Sequence, residues 1–108
     1  MAPPIAACLF RVAQEALRNA LRHAEARQIR VALRLSPQEA TLHVEDDGCG
    51  FVVPPRLATL ARGQHFGLIG LVERVAWVEG QIDIQSTPGK GTTITARVPR
   101  YGEEATDA

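Results

Sequence analysis

The sequence carries no excess charge of either sign: twelve basic residues balance twelve acidic ones. That balance argues against a nucleic-acid or membrane-surface partner chosen by bulk electrostatics. Cysteine is scarce too. Cys8 and Cys49 form neither a CxxC pair nor a metal-ligand spacing, and the expectation is two reduced thiols. No apolar run approaches the ~18–20 residues needed to cross a bilayer. The opening Met-Ala-Pro-Pro-Ile-Ala-Ala lacks the basic start and long apolar stretch of a signal peptide. The expected setting is cytoplasmic, leaving any inner-membrane anchor to other parts of a parent protein. Repeats and low-complexity tracts are missing, and so is the lysine of a Walker phosphate loop. What remains is 108 residues, 45% hydrophobic and 22% charged, an ordinary composition for one compact domain.

Pro3-Pro4 suits the first turn of a helix, where a missing N–H costs nothing. From Ile5 to about Glu25 there is no glycine or proline. At about 100° per residue, Phe10, Ala13, Leu17, Ala20, Leu21 and Ala24 share one face, with Glu15, Asn19, Arg22 and His23 opposite. Two alternating runs follow, Gln28 to Leu35 and Ala40 to Glu45, either side of Ser36-Pro37-Gln38-Glu39, and read as a β-hairpin. Residues 52–66 hold two prolines, a glycine and a weak helical pattern around Arg56 to Leu60. Gly67-Leu68-Ile69-Gly70 then opens a helix from Leu71 to about Val78, with Gly80 as its C-cap. Gln81 to Ser86 and Thr92 to Val98 alternate again across Thr87-Pro88-Gly89-Lys90-Gly91. Helices separated by hairpins imply an α+β two-layer sandwich, with helices on one face of a mixed, mostly antiparallel sheet. Residues 102–108 are expected to form a disordered tail.

Three places depart from a plain structural pattern. Glu15 and Asn19 are one helical turn apart, with Arg22 and His23 following; a carboxylate beside an amide oxygen suits Mg²⁺, and arginine suits phosphate. Asp46-Asp47-Gly48-Cys49-Gly50 ends a strand in a carboxylate and a tight glycine turn, where an exocyclic amine could approach. Gly67-Leu68-Ile69-Gly70 offers free N–H groups at a helix start, a natural phosphate site. Singly, each also fits a solvated polar face, an ordinary Asp-Gly turn or a flexible hinge.

Together, their order and spacing resemble the GHKL ATP-binding superfamily of gyrase, heat-shock chaperone, mismatch-repair and histidine-kinase ATPases. Residues 15–24, beginning Glu15-Ala16-Leu17-Arg18-Asn19, look like its N box. Asp46-Asp47-Gly48-Cys49-Gly50-Phe51 looks like the first glycine box, with Asp47 where many members have asparagine. Gly67-Leu68-Ile69-Gly70-Leu71 looks like the second, and Gly91-Thr92-Thr93 like the closing Gly-Thr element. Leu9-Phe10-Arg11-Val12-Ala13-Gln14-Glu15, Gly70-Leu71-Val72-Glu73-Arg74-Val75 and Ser86-Thr87-Pro88-Gly89-Lys90-Gly91-Thr92 are similar to the nitrate-sensor-like and desaturase-thermosensor-like histidine kinases.

The resemblance, which runs from about Pro3 to Pro99, implies an ATP-binding catalytic domain over residues 1–101, with the strand that normally precedes Pro3-Pro4 missing. Asn19 would coordinate Mg²⁺, with Arg22 and His23 near the phosphates of ATP. Asp46 would accept the adenine amino group, Gly48 and Gly50 would give the base room, and Thr93 would lie close by. Gly67, Leu68, Gly70 and Leu71 would line the phosphate end, and residues 52–66 would form a lid. Glu15 stands where ATPase relatives place the base that activates water, a step that phosphotransfer to histidine does not need. His23, His43 and His65 all lack an acceptor context, so the implied partner is a separate helical-hairpin phosphoacceptor domain of a homodimeric parent, with a response regulator downstream. A nucleotide-sensing module and an anti-sigma-factor serine kinase share the fold and are the alternatives.

Overall fold

The computed structural model describes residues 3–22, 26–52 and 66–100. Residues 53–65 of the expected lid, with its short helix and His65, lie outside these residues, as do His23 and the tail. Helix α1 (Pro3–Arg22) leads to strands β1 (Ile29–Leu35) and β2 (Glu39–Asp46), then to helix α2 (Phe66–Trp77) and strands β3 (Gln81–Ser86) and β4 (Thr92–Pro99). The strands form one sheet in the order β1-β2-β4-β3. Each of its pairings is antiparallel, so the expected α+β sandwich has no parallel pair among the described residues.

Strand alternation decides what the sheet buries. Ala40, Leu42 and Val44 of β2 and Ile94, Ala96 and Val98 of β4 point to one face and are buried there, with Ile84 of β3 beside them. Over them pack Ile5, Leu9, Val12 and Ala16 of α1 and Leu68, Leu71 and Val75 of α2. Each fully buried aliphatic side chain stabilises the fold by about 1.5–3 kcal/mol. Cys8 is buried in the same layer, which pushes its thiol pKa up against the opposing charge of Arg74. Neither cysteine is in a disulfide.

The face of α1 differs from the expected one. Ile5, Cys8, Leu9, Val12, Ala16 and Ala20 meet the sheet, whereas Phe10 is 65% and Leu21 71% exposed. The helix carries two apolar stripes roughly 110° apart at 100° per residue. The expected one contained Phe10, Leu17 and Leu21, but the sheet selects the other, whose small Ala16 allows close approach, and Ala20 at the border of the two is buried as well. The polar positions Glu15 and Asn19 are therefore drawn to the flank of the buried face instead of standing opposite it. On β1, Val31, Leu33 and Leu35 are about half exposed although they pair with buried Val44, Leu42 and Ala40.

Helix α2 begins at Phe66, about a turn earlier than expected, so the whole Gly67-Leu68-Ile69-Gly70 element is helical. Its end is a Schellman motif. The Gly80 N–H donates to the Val75 carbonyl at 2.8 Å and the Glu79 N–H to the Ala76 carbonyl at 3.0 Å. The left-handed residue of that motif is Glu79 (φ 58°), not Gly80. Gly80 is needed for a different reason: a Cβ there would lie 2.6 Å from the Arg97 carbonyl oxygen, where the helix end sits against β4.

Candidate functional site

One end of the sandwich gathers nearly all the residues singled out above. Asp46 closes β2 there, and α1 is tied to it through the intervening turn. The Ala26 N–H donates to the Ala20 carbonyl at 3.3 Å, and the next two N–H groups, of Arg27 and Gln28, donate to Asp47 Oδ1 at 2.8 and 2.9 Å. Asp47 is thus a clamp joining the α1–β1 turn to the end of β2. These N–H groups hold its carboxyl below the usual carboxylate range. A depressed folded pKa stabilises the fold above the unfolded value of about 3.9 and loses that contribution as pH falls through the folded value. Asp47→Ala should therefore lower the urea midpoint at pH 7, and the gap to the unsubstituted chain should shrink as the pH falls below the unfolded value of about 3.9. A gap independent of pH would show that the carboxylate charge plays no part.

Asp46 is half-buried and, by strand parity, faces the helices with Ala40, Leu42 and Val44. Its Oδ1 accepts the Gly48 N–H at 2.8 Å, which leaves Oδ2 for another donor. Directly across the ladder is Thr92, whose side chain is buried. Thr93, expected beside the adenine, pairs with Glu45 instead. Its side chain points to the opposite face of the sheet, because successive strand residues alternate. Thr92 is the residue that reasoning from sequence missed, and counting parity from buried Val44 through Asp46 would have found it.

A hydroxyl network braces this corner. Ser86 Oγ donates to the Gly91 carbonyl at 3.0 Å and accepts the Phe51 N–H at 2.8 Å. It also lies 2.8 Å from Thr92 Oγ1. Ser86 has one hydroxyl hydrogen and spends it on Gly91, so Thr92 donates to Ser86 and keeps its lone pairs as acceptors. The Gly89 N–H donates to the Cys49 carbonyl at 2.6 Å, laying the glycine-rich loop against the β3–β4 turn. Gly50 (φ 65°) is required by that packing, since a Cβ would fall 2.1 Å from the Thr87 carbonyl oxygen. Room for a ligand is thus not the only reason for glycine there.

From the helices, Asn19 contributes a buried Nδ2 with no hydrogen-bond partner among the described residues. A buried amide N–H left unpaired costs about 1–3 kcal/mol. Glu15 lies one turn away, its side chain 20% exposed and 3.8 Å from Arg18 Nε. Gly70 and Leu71 of α2 line the same groove as Glu15, which brings the start of α2 to this end. The first turn of α2 has no acidic residue, so no carboxylate of that turn offsets the helix dipole. Leu68 and Leu71 are core side chains, and in a helix that begins at Phe66 the N–H of Leu71 is engaged by the Gly67 carbonyl. The Arg22 side chain and His23 lie outside the described residues. His43 is on the far face of the sheet, 3.1 Å from Thr95 Oγ1 and 3.4 Å from Glu45 Oε2. No group of three or more His, Cys, Asp or Glu suited to a metal occurs among the described residues, so a cation at Asn19 would share its shell with ligand oxygens.

Residues 6–102 match the family described as histidine kinase-, DNA gyrase B- and HSP90-like ATPase. The chain belongs to that family. This ATPase-family domain is 45% identical over 92 residues to an uncharacterized sensor-like histidine kinase of Chloroflexus aurantiacus, covering 84% of this chain and 15% of that protein. It is 39% identical over 99 residues to the signal transduction histidine-protein kinase/phosphatase DegS of Bacillus subtilis, covering 92% and 25%. It is 35% identical over 96 residues to the sensor histidine kinase LiaS of the same organism, covering 89% and 25%. The chain therefore spans a quarter or less of these relatives. Among solved structures it is similar to the histidine kinase domain of the blue-light activated kinase of Erythrobacter litoralis EL346 (TM-score 0.68, 23% identity, 94% of this chain and 48% of that one). It is also similar to the Acinetobacter baumannii histidine kinase AdeS (TM-score 0.69, 19% identity, 87% and 46%). At those identities the structural likeness speaks for the fold alone. No helix among the described residues of the ATPase-family domain is long and apolar enough to cross a membrane.

Proposed function

We propose that this domain binds Mg·ATP and donates the γ-phosphate to a histidine on a separate helical-hairpin domain of its parent kinase. A response regulator then receives the phosphoryl group, in the cytoplasm, from a homodimeric parent. The observation that carries this reading is the buried Nδ2 of Asn19, without a partner among the described residues, at the end that holds Asp46 and the start of α2. An amide needs both an acceptor for its N–H and a donor or cation for its oxygen, and a metal-bound phosphate offers both.

Asp46 takes the adenine amino group on Oδ2, with Thr92 beside it as a second acceptor. Gly48 and Gly50 keep side chains off the base. Asn19 is the residue that would hold Mg²⁺, which when bound neutralises charge on the phosphate oxygens. Arg22 and His23 meet the phosphates, and the first-turn backbone at Gly67 and Leu68 receives them at the positive end of α2. Catalysis is then chiefly positioning and electrostatic stabilisation. Glu15 orients the attacking side, since transfer to histidine needs no water-activating base.

The test combines binding and transfer. An ATP analogue should bind more tightly with Mg²⁺ than without it. Incubated with labelled ATP and Mg²⁺, the chain alone should take up no acid-labile label. Adding the parent's acceptor hairpin as a separate chain should restore transfer, slowly, because the tether's effective concentration of roughly mM is lost. Label on the chain alone would contradict the reading. Binding without transfer to the hairpin would favour the nucleotide-sensing module.

A further inference from the structure

Three polar side chains stand in one row at the end of the sheet, on the face turned to the helices. The register sets Asp46 of β2 opposite Thr92 of β4, and Thr92 opposite Ser86 of β3. Residues directly opposite on neighbouring strands share a face, with Cβ atoms about 4.5–5.5 Å apart. The next row inward is Val44, Ile94 and Ile84, all buried. On β2, β3 and β4 the helix-facing side is otherwise aliphatic, so polar chemistry on that face is confined to the terminal row.

The single hydroxyl hydrogen of Ser86 decides which way the hydrogen bonds of this row point. Its Oγ has that one hydrogen and two lone pairs. The Phe51 N–H can only donate, so at 2.8 Å it takes one lone pair. The Gly91 carbonyl can only accept, so at 3.0 Å it takes the hydrogen. Thr92 Oγ1, at 2.8 Å, is left with the second lone pair and must supply its own hydrogen. The Thr92 oxygen therefore keeps only lone pairs for anything that approaches the row. Asp46 receives the Gly48 N–H on Oδ1 at 2.8 Å, and its Oδ2 is a further acceptor. Side by side, Asp46 and Thr92 offer two acceptors and no donor.

We propose that Ser86 is a positioning residue for base selection. By taking the Thr92 hydrogen it makes the row accept only, so that an exocyclic amine is admitted and a carbonyl in its place is rejected. This rests on the nucleotide reading above, in which Asp46 meets the base. Ser86 acts through Thr92 and does not itself touch the ligand. A carbonyl oxygen held against two acceptors is buried without a partner, and that penalty is what supplies discrimination. Without Ser86 the Thr92 hydroxyl is free to turn and donate, and the carbonyl gains a partner.

The probes are ATP and inosine triphosphate, which carries a carbonyl where adenine carries its amine. The quantity read is the ratio of their affinities. Ser86 also holds Phe51 and Gly91, and loosening those contacts would weaken both nucleotides alike and leave the ratio unmoved. The unsubstituted chain should prefer ATP at least about 100-fold. Ser86→Ala should reduce that preference at least about tenfold, and Ser86→Thr, which keeps a hydroxyl, should hold it within about threefold of the unsubstituted value. With Thr92→Val in place, adding Ser86→Ala should leave the preference unchanged, because no hydroxyl remains to be oriented. If Ser86→Ala does not fold, Ser86→Cys replaces it, since a thiol is a weak donor and acceptor and should move the ratio in the same direction. The proposal is overturned if loss of the Ser86 hydroxyl weakens both nucleotides by one factor, or if the shift in preference persists beside Thr92→Val. Equal binding of the two nucleotides by the unsubstituted chain would overturn it while leaving the nucleotide reading in place. Binding of neither would overturn that reading itself, and this proposal with it.

Discussion

Asn19→Ala should make the unliganded domain more stable while removing the Mg²⁺ dependence of its ATP binding. The two effects have one origin. Nδ2 of Asn19 is buried without a partner among the described residues, and relieving an unpaired amide of that kind recovers about 1–3 kcal/mol. Alanine is also the better helix former by about 0.5 kcal/mol, and position 19 lies within α1. The loss of function follows because the amide oxygen is the proposed cation ligand, so affinity for Mg·ATP should fall at least about tenfold, or 1.4 kcal/mol. A urea titration without nucleotide gives the first quantity, and an analogue titration with and without Mg²⁺ gives the second. Higher stability with unchanged Mg²⁺ dependence would remove Asn19 from the site. Lower stability would mean that the amide has a structural partner. A stable variant that has lost its ligand is what a residue retained for function against stability predicts.

Gly91→Ala should be strongly destabilising, costing about 3–5 kcal/mol. Gly91 has φ 84°, and a Cβ there would lie 2.1 Å from the Asp46 carbonyl oxygen. That oxygen belongs to β2, a strand paired on both sides, so it cannot yield as a flexible side chain would. The total stability of a domain this size is about 5–15 kcal/mol, so a large part of it is at stake. Gly89 is the internal control. It has nearly the same torsion, φ 81°, but nothing within 4 Å of an added Cβ. Gly89→Ala should therefore cost only the left-handed strain, about 1–2 kcal/mol. Equal urea midpoints for the two variants would show that torsion matters and the approach to Asp46 does not. If Gly91→Ala folds, its ATP affinity should also fall, because any relief of the contact displaces Asp46.

The position of Gly91 shows why one glycine is legible in a sequence and another is not. Pro88-Gly89 reads as a turn from local chemistry alone: the Lys90 N–H donates to the Thr87 carbonyl at 2.9 Å, with proline and a positive-φ glycine between. Gly50 and Gly91 carry the same letter for a tertiary reason. Each lies against backbone from a distant part of the chain, Thr87 in one case and Asp46 in the other. Gly80 belongs with them, since it yields the left-handed position of the α2 cap to Glu79.

What the sequence determined by itself was everything set by short-range periodicity. Alternation over residues 29–35 and 39–46 gives strands of fixed face, because side chains on a strand repeat every two residues. The glycine- and proline-free run after Pro3-Pro4 gives a long helix. The order of Glu15–Asn19, Asp46–Gly50, Gly67–Gly70 and Gly91-Thr92 is a property of the chain, and the match over residues 6–102 rests on it. Tertiary structure decided which stripe of α1 is buried, because two stripes of similar apolarity differ only in what lies beneath them. It placed Thr92 beside Asp46, since the ladder register Asp46↔Thr92 is a contact between strands far apart in sequence. It made Asp47 a clamp, because the N–H groups of Arg27 and Gln28 come within 2.8–2.9 Å of it only when α1 and β2 are docked. It also buried the Asn19 Nδ2 without a hydrogen-bond partner among the described residues, because burial depends on what packs over the helix and not on the helix itself.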